Sequence, residues 1–258
     1  MLQTQFTRCC VLIAAMILSL QASRAEELKS ADAVLDRHLT AIGGKAKVLA
    51  VKTTEQFSLM TASNEGGQNL QGSVELYVKS PDHMLLVQRL PKVGESRMGY
   101  DGAEAWMQDQ TGTVRVLEGQ EKESVKSLAQ YDRFARYQEH FPERKLKGME
   151  TLNKRKVYVL RLSPETGRPW MVYIDAESFL IVGMTMEVVG ANDAKTQIQT
   201  VYTDYRAVEG VLMPFRRVQK MGGLTVVFQV NKIRVNQPIS DDLFKAPVTQ
   251  APDVMTDE

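Results

Sequence analysis

The chain of 258 residues carries 32 lysines and arginines against 31 aspartates and glutamates, a formal charge of +1. A near-neutral surface with interspersed charge lacks the basic face that nucleic acid requires, so we expect no nucleic-acid partner. The length suffices for a sizeable core, and no linker rich in proline, glycine or serine divides the chain, which favours a single domain.

The first residues have the pattern of a secretory signal peptide. Arg8 gives a basic start, an apolar run extends from Val11 to Leu20, and Ser23 and Ala25 supply small residues before a cleavage site. The apolar run is too short to span a membrane. We therefore expect a signal peptide at 1–25, one domain at 26–250 and a disordered tail at 251–258.

Both cysteines, Cys9 and Cys10, lie in this leader. The mature chain would have no disulfide, no thiolate nucleophile and no cysteine-ligated zinc. No lipobox precedes either cysteine, so we expect a soluble protein without a lipid anchor.

The first predicted element of the mature chain is an amphipathic helix. Ser30 is its candidate N-cap, Asp32 suits the helix dipole in the first turn, and Gly43 with Gly44 ends it. Its apolar stripe consists of Ala31, Val34, Leu35, His38, Leu39 and Ile42.

After Thr53 the apolar period changes to two, which predicts strands. A second helix is predicted in EKESVKSLAQYDRFARYQEHF (121–141), ended by Pro142. The predicted strands are TTEQFSLMTA, LQGSVELYVKS, HMLLVQRL, AEAWMQD and GTVRVLEG before that helix, and RKVYVLRLS, RPWMVYIDAES, FLIVGMTMEVVG, KTQIQTVYTDYRAV, VLMPFRRVQKMG and LTVVFQVNKIRV after it.

The short connections between these strands force antiparallel neighbours. The predicted fold class is mainly β (α+β), with about eleven antiparallel strands in a sheet that must curl. Two helices do not cover the apolar face of so many strands, which leaves either barrel closure or a cavity for an apolar ligand. The candidate ligand-binding residues are Phe57, Leu59, Leu86, Trp106, Trp170, Val182, Met184, Met186, Phe215 and Phe228.

The stretch GYDGAEAWMQDQTG has the residue types of a catalytic or ligand-binding site, but its pattern predicts a hairpin. Asp101-Gly102 is a two-residue turn signal, with Tyr100 and Ala103 predicted at the ends of the two paired strands. Trp106 lies on the opposite side of its strand from its neighbours, and we expect it to face the cavity.

No pattern predicts catalysis. His38, His83 and His140 are the only histidines, and none has a second histidine at metal-ligand spacing. His38 lies on the buried helix stripe and is interpreted as a core residue. GESRMG is one residue too long for a nucleophile elbow. We predict no catalytic residue, no metal, no cofactor and no enzymatic activity.

Four stretches together resemble a known family. They are AVLDRHLTAIGG, YDGAEAW, VYTDYRAVEGVLMPFRRVQKMGG and VNQPISDDLFKAP, and the resemblance extends from Leu28 to Pro247. They are similar to the LolA/LolB-like superfamily of periplasmic lipoprotein carriers, in its outer membrane lipoprotein-sorting branch.

This resemblance implies an unclosed half-barrel sheet with two or three helices on its concave side. It also implies a periplasmic monomer whose partners are lipid or lipoprotein acyl chains and inner- and outer-membrane export components. One alternative is a protein-binding or sensor module of an envelope pathway, using the same fold without lipid. Another is a hydrolase of envelope material, for which no acid–base pair is visible.

Overall fold

The computed structural model describes residues 28–189 and 194–247. The predicted signal peptide at 1–25 and the predicted tail at 251–258 lie outside these residues. No helix in the described ranges is both long enough and apolar enough to cross a membrane.

The described residues form four α-helices, a short 3-10 helix and thirteen strands. The helices are α1 (Ala31–Ala41), α2 (Lys45–Ala50), α3 (Gly119–Ala129) and α4 (Tyr137–His140), and the 3-10 helix is Asp241–Phe244. The strands are β1 (Thr53–Asn64), β2 (Asn69–Lys79), β3 (His83–Leu90), β4 (Gly94–Asp101), β5 (Ala105–Gln108), β6 (Val114–Leu117), β7 (Glu143–Leu152), β8 (Arg155–Ser163), β9 (Trp170–Asp175), β10 (Ile181–Val189), β11 (Lys195–Val208), β12 (Val211–Met221) and β13 (Leu224–Val235).

All thirteen strands belong to one antiparallel sheet, in the order β6-β5-β4-β3-β2-β1-β13-β12-β11-β10-β9-β8-β7. The chain starts at the middle of the sheet, proceeds to the edge strand β6, crosses to the other edge at β7 and returns to pair β13 with β1. Residues 118–142, here called the crossing segment, make this passage. Within the described residues β6 and β7 do not pair, so the sheet is not closed into a barrel.

The predicted mainly β, antiparallel class is confirmed, but the number of strands is thirteen rather than about eleven. The two additional strands are β4 and β7. β4 is not predicted as a strand because its sequence GESRMGYD contains charged residues and two glycines and lacks the apolar alternation of a strand. β7 is an edge strand rich in charge, and edge strands commonly carry charge because it discourages pairing with other chains.

The contacts of α3 require the sheet to curl. This helix touches β3, β4 and β5 on one side and β10 on the other. In a flat sheet, β4 and β10 would lie roughly 34 Å apart at the usual strand spacing of about 4.8 Å. A helix about 10–12 Å across cannot bridge that distance, so the sheet wraps around it. We call the face that carries the helices the inner face and the opposite one the outer face.

The first helix follows its sequence pattern. The Ser30 hydroxyl accepts a hydrogen bond from the Ala33 amide at 3.1 Å, and all six residues of the predicted stripe are buried. Gly43 and Gly44 both have positive φ, and the Gly44 amide donates to the Leu39 carbonyl at 2.8 Å. The cap, the stripe and the terminating glycines are confirmed.

The second predicted helix is interrupted. α3 ends at Ala129, Gln130 leaves the helical conformation, and the short α4 starts only at Tyr137. The Arg133 side chain contributes to this break, because its Nε donates to the Gln130 carbonyl at 2.7 Å and satisfies an acceptor at the helix end.

The hairpin after β4 is one position displaced from the prediction. Tyr100 pairs with Ala105, and the Asp101 amide donates to the Glu104 carbonyl, so the turn centres on Gly102 and Ala103. The Asp101 carboxylate accepts from the Ala103 and Glu104 amides at 2.9 and 2.7 Å. These bonds hold the turn in the displaced position.

The C-terminal segment (residues 236–247) packs on the outer face of β3–β5 and is bonded to the ends of β1 and β2. The Thr53 hydroxyl donates to the Gln237 carbonyl at 2.7 Å, and Lys79 pairs with Asp241. Phe244 is fully buried, and its carbonyl accepts from Trp106 Nε1 at 2.7 Å.

Candidate ligand-binding cavity

A cavity of about 300 Å³ lies between the inner face of the sheet and the elements that cover it. α1 and α2 form one wall, residues 131–135 of the crossing segment form a second, and β1 and β10–β13 form the floor. The apolar lining consists of Leu39, Ile42, Val48, Phe134, Ala135, Ile181, Met184, Val211, Leu212, Met213, Pro214 and Ile233, and the polar lining of His38, Thr54, Gln56, Tyr131, Asp132, Tyr202 and Tyr205.

Two sequence periodicities produce the apolar walls. Leu39 and Ile42 belong to the helical stripe of α1, which faces the sheet because that is where apolar surface leaves water. Met184 and Met186 alternate along β10 and therefore share its inner face. The cavity volume is at the lower end of the range found for small-molecule pockets.

Two polar groups of the lining are held by hydrogen bonds. His38 Nδ1–H donates to the Phe179 carbonyl at 2.8 Å. Burial lowers the pKa of His38 to about 4, although this hydrogen bond opposes the shift, so the imidazole is neutral at pH 7. The Tyr205 hydroxyl donates to the Ile181 carbonyl at 2.6 Å, and burial raises the pKa of Tyr205.

Metal ligation has no support in residues 28–189 and 194–247. No three histidine, aspartate or glutamate side chains gather there in an arrangement that could hold an ion.

Two arginines lie between the sheet and its cover, each with its guanidinium over an aromatic ring. Arg133, from the crossing segment, lies 4.5 Å from the centroid of Trp170 and is 7% exposed. Arg217, from β12, lies 4.3 Å from the centroid of Phe228. Arg217 is also directly opposite Tyr202 on β11, which lines the cavity.

These aromatic contacts offset only part of the cost of burying a guanidinium. A desolvated cation over an aromatic ring gains about 2 kcal/mol, whereas burying a charge effectively costs several kcal/mol. Burial accordingly lowers the pKa of Arg133 to about 9 and lowers the pKa of Arg217. Tyr202 opposes both shifts, and Asp132 also opposes that of Arg133. Arginine side chains in proteins stay protonated at neutral pH, so both carry a positive charge.

The cover is fixed to its surroundings by polar contacts. Arg144 on β7 makes two hydrogen bonds to the Asp32 carboxylate of α1, at 2.8 and 3.2 Å. The Tyr137 hydroxyl of α4 donates to Asp36 of α1 at 2.9 Å. Contacts of this kind can open at modest cost compared with the apolar core.

Three of the ten predicted ligand-binding residues come together under the cover. Met184 lines the cavity, and Trp170 and Met186 belong to the same core cluster. Leu86 and Phe228 lie elsewhere on the inner face, packed with Met60 near the middle of the sheet.

Three others lie on the outer face. Phe57 contacts Tyr77 edge-on, with ring centroids 6.1 Å apart, and Leu59 is 56% exposed. Trp106 packs under Phe244 of the C-terminal segment, on the side away from α3. The expectation that Trp106 faces the cavity is wrong, since the helices cover the opposite side of β5.

The last two do not line the cavity either. A β-bulge between Ile181 and Gly183 shifts the alternation of β10, so Ile181 takes the inner position and Val182 does not. Phe215 is buried beneath the guanidinium of Arg206, whose carbon lies 4.7 Å from the ring centroid.

Neither Arg133 nor Arg217 is among the candidate ligand-binding residues predicted from the sequence. The available signal was the alternation in VLMPFRRVQKM, where Arg217 falls in the same phase as Val211 and Met213. Nothing comparable marks Arg133, because the interruption of the helix at Gln130 determines its direction.

Three crystal structures of other proteins share this architecture. A DUF1329 family protein from Desulfovibrio piger has 15% sequence identity and a TM-score of 0.59, covering 84% of this chain and 98% of its own. A LolA superfamily protein from Nitrosomonas europaea has 12% identity and a TM-score of 0.59, with coverages of 85% and 99%. An outer membrane lipoprotein-sorting protein domain from Vibrio parahaemolyticus has 10% identity, a TM-score of 0.54 and coverages of 82% and 94%.

The chain has a LolA-like fold. This confirms, at the level of the fold, the resemblance found in the sequence. No family model matches the sequence, and no curated protein matches it. At 10–15% identity the likeness concerns architecture and does not establish function, which depends on the site.

Proposed function

We propose that the protein is a periplasmic carrier that binds lipid or lipoprotein acyl chains in its cavity and moves them toward the outer membrane. The observation that carries this proposal is a largely apolar cavity beneath a cover of α1, α2 and residues 131–135 in a LolA-like fold. The predicted leader supports export to the periplasm, and delivery implies export components of both membranes as partners.

The cavity size defines the cargo that fits without rearrangement. Water occupies about 30 Å³ per molecule, and a methylene group is of similar size, so about 300 Å³ accommodates an alkyl chain of about ten carbons. A longer acyl chain requires the cover to move outward. Such a movement would break the polar contacts of Arg144 and Tyr137 with α1 and expose part of its buried apolar stripe.

The energetics suit reversible transport. Each buried methylene contributes about 0.8 kcal/mol, so ten contribute about 8 kcal/mol. That corresponds to a dissociation constant of about 1 μM before the costs of ordering the chain. Binding of this strength allows both uptake and release without a covalent step.

The test uses two tryptophan substitutions on the same strand. Met184→Trp places a larger side chain in the cavity, whereas Thr185→Trp places it on the other side of β10. We expect native protein to take up a fluorescent fatty acid, Met184→Trp to weaken binding by about tenfold or more, and Thr185→Trp to stay within about twofold.

Native mass spectrometry of protein purified from the periplasm should in addition show co-purifying lipid. The proposal is wrong if only bare polypeptide appears and the native protein takes up no fatty acid. A stable protein complex in that sample would instead favour the alternative of a protein-binding or sensor module.

A further inference from the structure

The cationic groups beside the cavity have an unusual environment. Arg133 and Arg217 come from opposite sides of the space between sheet and cover, and the positive charges of both act on the Tyr202 hydroxyl. Thr200 also lies beside this hydroxyl and accepts a hydrogen bond from Gln219 at 3.4 Å. Tyr202 therefore lies both in the lining of the apolar cavity and beside polar side chains of β11 and β12.

Neither guanidinium forms an ion pair within the part of the chain that the structure describes. The buried Asp132 carboxylate acts on Arg133, but its own ion pair is with Arg136, at 2.8 Å. Arg133 donates only to neutral oxygens, the Gln130 carbonyl at 2.7 Å and the Ser127 hydroxyl at 3.5 Å. Nε of Arg217 is buried and has no hydrogen-bond partner among the described residues. Buried cations in proteins are normally paired. Two arginines without an ion pair, both acting on Tyr202 of the cavity lining, therefore point to an anionic ligand.

Two other arginines that lie over aromatic rings have carboxylate partners, unlike Arg133 and Arg217. Arg206 lies over Phe215 but is exposed and pairs with Asp204 at 2.7 Å. Arg234 lies over Phe57 and pairs with Glu55 at 2.6 Å. Stacking on a ring therefore does not by itself exclude a carboxylate partner in this fold.

We propose that Arg133 and Arg217 bind the oxyanion head group, a phosphate or carboxylate, of the amphiphile whose alkyl chain occupies the cavity. This inference rests on the proposed carrier function and narrows its cargo to anionic amphiphiles. A guanidinium offers donors in a planar fork that matches carboxylate and phosphate oxygens. The Tyr202 hydroxyl, on which both positive charges act, is a third donor.

The first experiment compares head groups on one chain length in the native protein. Dissociation constants are measured by calorimetry for dodecyl phosphate, dodecanoate, 1-dodecanol and inorganic phosphate. We expect both anionic amphiphiles to bind about tenfold or more tightly than dodecanol, because hydrogen bonds to charged groups exceed neutral ones in strength. Inorganic phosphate alone should bind far more weakly than dodecyl phosphate.

The outcomes separate this inference from the proposed function. Equal affinity for dodecanol and dodecyl phosphate would overturn the head-group site and leave the carrier function intact. Binding of no amphiphile at all would overturn both. Inorganic phosphate binding as tightly as dodecyl phosphate would indicate a free-anion site and overturn the inference.

Variants then assign the effect to the arginines. Arg217→Gln and Arg133→Gln should each reduce the preference for dodecyl phosphate over dodecanol to about twofold, with dodecanol affinity unchanged. Arg206→Gln is the matched control, since Arg206 also lies over an aromatic ring but is exposed and paired with Asp204. An unchanged preference in both the Arg133 and the Arg217 variant contradicts the proposal. If a variant does not fold, the comparison of head groups on native protein still decides.

Discussion

At the scale of single residues, His38 shows how burial fixes a protonation state. Its ring is enclosed by α1 and the sheet, and burial lowers its pKa from the ordinary 6.5 to about 4. The unfolded chain therefore binds a proton below about pH 6.5, whereas the folded protein does so only below about pH 4. The free energy of unfolding must fall as the pH drops through this window, because protons favour the unfolded state.

We predict that this residue contributes about 2 kcal/mol to the loss of stability between pH 7.5 and pH 5. Urea unfolding of native protein and His38→Gln at the two pH values measures it. The difference in free energy of unfolding between native protein and His38→Gln should be smaller by that amount at pH 5 than at pH 7.5. A constant difference would show that His38 titrates normally in the folded state.

Alternation in the sequence predicts which residues share a face, but not which face the helices cover. It correctly grouped Trp170 with Val172 and Met184 with Met186. Alternation gave no basis for choosing the side of Trp106, because both faces of β5 are covered in the fold, and the expectation that Trp106 faces the cavity was wrong. The position of Val182 depended on a bulge, and a single inserted residue leaves no mark in an apolar run.

At the scale of elements, regular structure was predictable where local signals agreed. α1 has a cap, a stripe and terminating glycines, and all three act as expected. The break between α3 and α4 was not predictable, because residues 121–141 keep a helical pattern throughout. Tertiary contacts of Arg133 and Phe141 under the cover override that pattern.

The C-terminal segment is held to the sheet by one buried side chain. Phe244 is fully buried on the outer face, whereas Leu243, its neighbour in the 3-10 helix, is 40% exposed. We expect Phe244→Ala to cost about 3–5 kcal/mol in the free energy of unfolding, and Leu243→Ala to cost about 0.5 kcal/mol or less. Denaturant unfolding of both variants measures the difference. Equal losses would mean that the segment does not dock as a packed element.

At the scale of the whole molecule, the cavity and its cover should respond together to cargo. We expect a bound ligand to contact the wall formed by α1 and residues 131–135, whereas the outer C-terminal segment does not touch the cavity. At about a hundredfold excess of ligand over the dissociation constant, binding stabilises the closed state by about 2.7 kcal/mol.

We therefore predict slower amide hydrogen exchange in α1 and residues 131–135 when dodecanoate is bound, by up to about a hundredfold. Exchange in the 3-10 helix serves as the internal control and should not change. Uniform slowing across the molecule would indicate general stabilisation instead of closure of a cover. Mass spectrometry of peptic fragments provides the measurement.

The pairing of β1 with β13 has a consequence for how the protein is assembled. Every other neighbouring pair of strands is consecutive in the chain, so both halves of the sheet can grow by adding hairpins locally. Among the strand pairings only this central seam joins distant parts of the chain, and closing so long a loop is the slow event expected in folding. The cavity floor takes Thr54 and Gln56 from one side of the seam and Ile233 from the other. A binding-competent molecule therefore exists only after the seam has closed, and an early cargo would act as a template for the last step of folding.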